Sequence, residues 1–154
     1  MTLLTSHSGE YLATVRELFV EYANSLEVDL CFQNFSQELA ELPGKYAPPD
    51  GGLFLGMEGV SVAGCVALRK LDDGICEMKR LYVRPSFRGR GVGRFLAQAA
   101  VDTARAKGYK SMRLDTLASM TQAIALYESM GFHRITPYYD NPSDLAVFME
   151  LSLA

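Results

Sequence analysis

Between Arg88 and Arg94 the chain reads Arg-Gly-Arg-Gly-Val-Gly-Arg, with Gly89, Gly91 and Gly93 set between Arg88, Arg90, Val92 and Arg94. Residues without a β-carbon let the backbone bend tightly and approach a guest, and arginine can grip an oxyanion through two parallel hydrogen bonds. The segment follows a strand-like run that ends Leu81-Tyr82-Val83 and precedes a helical pattern. Amide groups at a helix start have no intrahelical acceptor and lie at the positive end of the helix dipole, which makes this turn a cradle for an anion. The chemistry it suggests is the holding of a phosphate-bearing ligand.

Two common phosphate loops do not fit. The nucleotide-triphosphate loop requires Gly-x-x-x-x-Gly-Lys followed by Ser or Thr, and that run does not occur. The dinucleotide fingerprint requires glycines at its first, third and sixth positions, but counting from Gly89 the sixth residue is Arg94 and counting from Gly91 it is Leu96. Asp115 lies at roughly the distance expected of a ribose-binding acid. The preceding strand, however, carries Glu77, Lys79 and Arg80, which suit poorly a strand buried on both faces.

The elements that must position this turn follow from periodicity. Residues 2–5 suit a short strand, and Ser8 an N-cap. Tyr11, Leu12, Val15, Leu18, Phe19, Tyr22 and Leu26 recur at helical spacing. Residues 27–33 form an irregular link, and Asn34 with Gln37 has the spacing of a capping pair for a short helix that Pro43-Gly44 ends. After a loop at 47–52, residues 53–57 and 60–71 read as a hairpin across Glu58-Gly59, and Asp72-Asp73-Gly74 turns the chain into a strand over 75–83. Val92, Phe95, Leu96, Ala99, Ala100, Thr103 and Ala104 share one helical face, and Gly108 stops that helix. A strand over 110–116 can return parallel to 75–83 by a right-handed crossover. Ser119 and Gln122 have capping-box spacing for a helix ending before Gly131, and strands over 132–138 and 145–153 close the chain. The expected fold is α/β (α+β): a mixed, mostly antiparallel sheet of about six or seven strands with helices on both faces.

Composition narrows the class of protein. At 154 residues the chain suits a single domain over 1–154, able to bury roughly 70% of its unfolded surface. A hydrophobic share of 49% with 21% charged residues is that of an ordinary globular chain. No apolar run approaches the ~18 residues of a membrane span, and the first residues lack the pattern of a secretory signal, so the expected setting is cytoplasmic with no membrane partner. Cys31, Cys65 and Cys76 are odd in number and widely spaced, which suits core thiols in a reducing compartment. With two histidines and no Cys-x-x-Cys pair, no metal site is expected. A net charge of −3 argues against a nucleic-acid partner.

Arg88-x-x-Gly91-x-Gly93, placed after a strand ending Leu81-Tyr82-Val83 and Pro85, resembles the GCN5-related N-acetyltransferase (GNAT) family. A second block agrees: Ala123-Ile124-Ala125-Leu126-Tyr127-Glu128 followed by Gly131-Phe132 looks like that family's second signature. Together they cover roughly the second half of the chain. The resemblance implies that strands 75–83 and 110–116 splay apart and that the pantetheine arm of acetyl-coenzyme A lies in the gap, bonded to backbone groups of Leu81, Tyr82 and Val83. It implies further that the pyrophosphate rests on residues 88–94: Arg88, Gly89, Arg90, Gly91, Val92, Gly93 and Arg94.

The resemblance also implies two catalytic residues. Tyr127 corresponds to the family's thiol-side acid, and Glu77 to a general base acting directly or through water. Each has a plainer alternative, Tyr127 as a packed core ring and Glu77 as a carboxylate paired with a cross-strand cation. Where family members often carry an Asn three residues before the second block's Ala, this chain has Met120, with Ser119 and Thr121 beside it. By analogy the link 27–33 and the loop after Tyr138 border the acceptor, making Asp29, Phe32, Gln33, Tyr139 and Asp140 candidates for contact with it. The implied activity is acetyl transfer from acetyl-CoA to a primary amine of a small molecule or peptide by direct attack, with a homodimer admissible. The alternative is a non-catalytic acyl-CoA sensor that keeps the cradle without turnover.

Overall fold

A computed structural model describes residues 1–26, 34–141 and 143–154. Among the described residues seven strands form one sheet: β1 (Thr2–Thr5), β2 (Gly52–Glu58), β3 (Ser61–Asp72), β4 (Ile75–Val83), β5 (Ser111–Leu117), β6 (His133–Ile135) and β7 (Ala146–Ser152), in the spatial order β1-β2-β3-β4-β5-β7-β6. Every pairing is antiparallel except that of β4 with β5. Helix α1 (Glu10–Ser25) precedes β2 together with α2 (Phe35–Glu41), α3 (Val92–Ala106) carries the crossover from β4 to β5, and α4 (Thr121–Ser129) follows β5. The expected mixed sheet with helices on both faces is the one observed.

Strand alternation sorts the side chains into two cores. Phe54, Val66, Leu68, Cys76, Met78, Met112, Leu114 and Met149 pack against α3 and α4. Leu53, Leu55, Cys65, Ala67 and Tyr82 pack against Val15, Leu18 and Phe19 of α1, with Phe35 and Leu39 of α2 beside them. The α3 packing is close. A β-carbon added at Gly64 of β3 would lie 2.3 Å from the Tyr82 carbonyl and 3.0 Å from Leu96 Cδ1, so the β3–β4 pair beneath α3 leaves no room there.

The expected helix starts are corrected in detail. The N-cap of α1 is Gly9, with φ 70°, and not Ser8. Asn34 does cap α2, but from the left-handed region and without a side-chain bond, while Gln37 donates to Glu41 at 2.8 Å instead. Met120 takes the N-cap of α4 in place of Ser119. In each case the backbone conformation and tertiary packing set the start where a local side-chain bond was expected. Cys65 and Cys76 are buried free thiols, and burial pushes each up to about 12. Cys31, Asp29, Phe32, Gln33 and the link 27–33 lie outside the described residues.

Candidate active site

The parallel pair β4–β5 is short. It registers Ile75 with Ser111, Cys76 with Met112 and Glu77 with Arg113, and pairing stops there although both strands continue. From Met78 onward the strands diverge and a cleft of about 600 Å³ opens between them. It runs from Phe87, Arg88, Gly89 and Gly91 at one end, past Leu81 and Val83, to Asp115, Tyr127 and Asn141 at the other. The backbone beside it is a sheet edge. The Arg84 amide donates to the Ala63 carbonyl at 2.8 Å, so Arg84 faces β3, and alternation turns the peptide groups of Val83 and Leu81 toward the open side. Arg88 Nε donates to the Val83 carbonyl at 3.1 Å, in keeping with that orientation. The Tyr82 carbonyl points the other way, toward Gly64, although Tyr82 too lines the cleft.

A bulge in β4 arranges the opposite side. Between Cys65↔Tyr82 and Ala67↔Lys79 the register shifts, and Arg80 adopts φ 59°. Before the bulge Cys76 and Met78 face α3; after it Leu81 and Val83 do. The extra residue therefore keeps Glu77, Lys79, Arg80 and Tyr82 all on the α1 side, an outcome strict alternation forbids. Left-handed geometry disfavours Arg80 by roughly 1–2 kcal/mol. Two bonds of 2.9 Å from its guanidinium to Glu38 of α2, and its place over the Phe35 ring, hold it there.

The glycine turn has the form the sequence suggests. Gly89 (φ 79°) and Gly91 (φ 80°) occupy the left-handed region, Gly91 caps α3, and no atom lies within 4 Å of a β-carbon built on either. Gly93 is helical, and a β-carbon there would touch Val83 and Leu126 at the cleft wall, at 3.8 and 3.7 Å. Arg88, Gly89, Gly91, Val92 and Gly93 line the cleft. Arg90 and Arg94 do not. Arg90 donates to Glu58 at 3.0 Å, and Arg94 to the Ser129 hydroxyl at 2.6 Å. Arg84 is likewise bound, to Glu21 at 2.9 Å.

Tyr127 reaches the cleft from α4, with 6% of its surface exposed and its ring 5.7 Å from that of Phe132. Burial, helped by the negative charge of Asp115, raises its hydroxyl far above the ordinary tyrosine value, so it keeps its proton at neutral pH. Met120, Ser119 and Thr121 line the same wall, and the Thr116 hydroxyl lies 3.5 Å from the Met120 sulfur.

Glu77 is placed differently from what a directly acting base would need. It is 1% exposed and lies outside the cleft lining, bonded by Arg69 Nε at 2.8 Å and by the Tyr138 hydroxyl, with Lys79 Nζ at 3.8 Å. Burial alone would raise its carboxyl, but the Lys79 ammonium, the Tyr138 hydroxyl and the Arg69 guanidinium together hold it below the ordinary value. The cleft's own carboxylate is Asp115, which accepts from the Tyr139 hydroxyl at 2.6 Å; Asn141 Nδ2 donates to that same hydroxyl at 3.0 Å. Of the expected acceptor-side residues, Tyr139 is brought to the site and Asp140 is exposed. Sequence reasoning missed Asn141 and Tyr138, and weighed Asp115 only as a ribose-binding acid. The available signal was strand parity, since Arg113 and Asp115 fall two apart on the strand expected to flank the gap.

A two-sided cleft between diverging parallel strands, with an amide-rich helix start at one end and a protonated tyrosine at the other, suits an extended ligand with an anionic end. Residues 12–132 match the acetyltransferase (GNAT) family. The chain is 42% identical over 139 residues to an uncharacterized N-acetyltransferase of Schizosaccharomyces pombe, covering 89% of this chain and 85% of that one. It is 34% identical over 139 residues to YjgM, an uncharacterized N-acetyltransferase of Escherichia coli, covering 88% and 82%. In fold it resembles yncA of Salmonella typhimurium, solved with its cofactor acetyl-CoA, at a TM-score of 0.76 and 21% identity over 100% and 94% of the two chains. The protein belongs to the GNAT family and is an N-acetyltransferase of that type.

Proposed function

We propose that the protein transfers acetyl from acetyl-CoA to a primary amine of a small molecule or peptide by direct attack, within one catalytic domain. The observation that carries this reading is the continuity of the cleft from the α3 amides to Tyr127 and Asp115. The residues suit the donor. The peptide groups of Leu81 and Val83 on the cleft side can take hydrogen-bond partners, the Val83 carbonyl beside the bond it accepts from Arg88, and an amide-bearing pantetheine arm offers them. Amides from Gly89 to Arg94 suit the diphosphate, and Arg88, reaching the same cleft, supplies a positive charge. Arg90 and Arg94, bound elsewhere, would contribute chiefly their backbone. When bound, acetyl-CoA supplies an activated thioester.

Tyr127, kept protonated, donates its proton to the departing thiolate. Asp115 meets the incoming amine and takes the proton it sheds. Glu77 acts at one remove, fixing Tyr138 and neutralising Lys79 and Arg69, and exchanges protons with the cleft only through those partners or water. Tyr127 at the thiol end favours turnover over the sensor reading, since a module that only binds has no use for an acid there. Two free buried thiols suit a reducing, cytoplasmic setting. Homodimerisation through an edge strand is part of the proposal and is checked by sedimentation. Release of free thiol from acetyl-CoA across a panel of amines tests the activity; tight binding with no release from any acceptor would return the sensor reading.

A further inference from the structure

Past its last paired residues, Glu77 and Arg113, the sheet opens, and the next side chains on the same face are Lys79 of β4 and Asp115 of β5. Both line the cleft. At ~3.3 Å per residue each stands roughly 7 Å beyond the last rung, at the throat where the strands part. Tyr127 lines the cleft from the other face, so this pair and Tyr127 bound it from opposite sides.

On this face Glu77 is shared by Arg69 at 2.8 Å and Lys79 at 3.8 Å, Arg80 is bonded to Glu38 at 2.9 Å, and Arg113 to Glu150 at 2.7 Å, and none of these three carboxylates lines the cleft. One carboxylate between two cations leaves positive charge in excess on the β4 side, across from the Asp115 carboxylate held by Tyr139. At the throat the cleft wall presents the Lys79 ammonium, 11% exposed and paired inward with Glu77, beside Asp115. An ammonium has three donors and a carboxylate about four acceptor sites, so each can serve a ligand in addition to the contacts it makes. A buried charge is costly unless an opposite charge accompanies it. A simple cationic amine would answer Asp115 but bring a second positive charge against Lys79 and its neighbour Arg80. An amine that carries its own anion answers both.

We propose that the acceptor is a small zwitterion of the α-amino acid type, its ammonium seated at Asp115 and its carboxylate at Lys79. This rests on the acetyl-transfer reading above. A cleft of about 600 Å³ lies within the range of small-molecule pockets. Lys79 is thus a specificity-determining residue, and Asp115 serves both anchoring and proton acceptance.

The test measures thiol release from acetyl-CoA with the proteinogenic α-amino acids, each beside its carboxamide and its decarboxylated amine, with coenzyme A affinity followed by calorimetry. The wild-type protein should favour the best free acid over its two counterparts by tenfold or more in kcat/KM. Lys79→Met should bring that ratio near one while coenzyme A still binds, Lys79→Arg should restore part of it, and Asp115→Asn should depress turnover of all three compounds alike. Carboxamides or plain amines used as well as the acids by the wild-type protein would overturn the inference and leave acetyl transfer standing, whatever the variants do. An unchanged ratio in Lys79→Met would also overturn it. No release from any compound, with no binding of coenzyme A, would remove both readings.

Discussion

Replacing Glu77 by Gln separates a carboxylate that supports the site from one that does the chemistry. The side chain is 1% exposed and faces Arg69 at 2.8 Å and Lys79 at 3.8 Å, so the substitution keeps the volume and leaves two cations without their anion. Removing one partner of a buried ion pair costs about 3–5 kcal/mol. Arg69 is 23% exposed and partly served by solvent, so the lower end, about 3 kcal/mol, applies. For a chain of this length that corresponds to a fall in Tm of about 6–12 °C.

The pH dependence carries a sign. The folded carboxyl titrates below its ordinary value, so the folded state binds its proton less readily than the unfolded one. Its stabilisation is fully present above the unfolded value near 4.5 and is lost as pH falls through the lower folded value. Urea unfolding from pH 7 downward should show the wild-type protein losing stability in that acid range. Glu77→Gln should be less stable at pH 7 and converge on the wild-type protein at the acid end. An equally stable Gln variant with an unchanged acid profile would refute the placement of Glu77 as the anion of a buried cluster. Intact folding with turnover abolished would instead point to a direct role as base.

Other outcomes follow from the same geometry. Tyr127→Phe keeps the ring contact with Phe132 and removes the proton, so kcat should fall about 10²–10⁴-fold with little change in acetyl-CoA affinity, as measured by thiol release. Gly91→Ala meets no atom within 4 Å but must hold φ 80°, so it should cost about 1–2 kcal/mol in urea unfolding. If the diphosphate approaches that backbone, calorimetry should show coenzyme A affinity falling further than the stability loss explains. Gly64→Ala would set a β-carbon 2.3 Å from the Tyr82 carbonyl, so it should destabilise by about 3 kcal/mol and, by shifting β4, weaken coenzyme A binding as well.

The glycine turn and the strand and helix that flank it were legible from sequence because their demands are local. Positive-φ glycines before a helix, a strand leading into them and a helix leading away are all written in consecutive residues, and β1 and β4 fall on the residues expected, 2–5 and 75–83. The acceptor half was not, because it depends on pairs brought together across the sheet. Lys79 and Arg80 are adjacent in sequence and would point to opposite faces of a regular strand; only the bulge puts both on the α1 side. Asp115 gains its meaning from where β4–β5 pairing ends, and Tyr138 and Tyr139 from the Phe148 ring they rest on, at 5.1 and 5.2 Å. Glu77 shows the limit most clearly. Its strand position suggested a base, while its cross-strand partner Arg69 and the cover of Tyr138 place it beneath the cleft wall.

The most direct examination is a crystal structure with coenzyme A bound. The arm should lie between β4 and β5 on the peptide groups of Leu81 and Val83, its diphosphate against the amides of Gly89 to Arg94 and its sulfur toward Tyr127. Coenzyme A seated on any other surface, or β4 and β5 found paired along their full length with no ligand between them, would contradict the account.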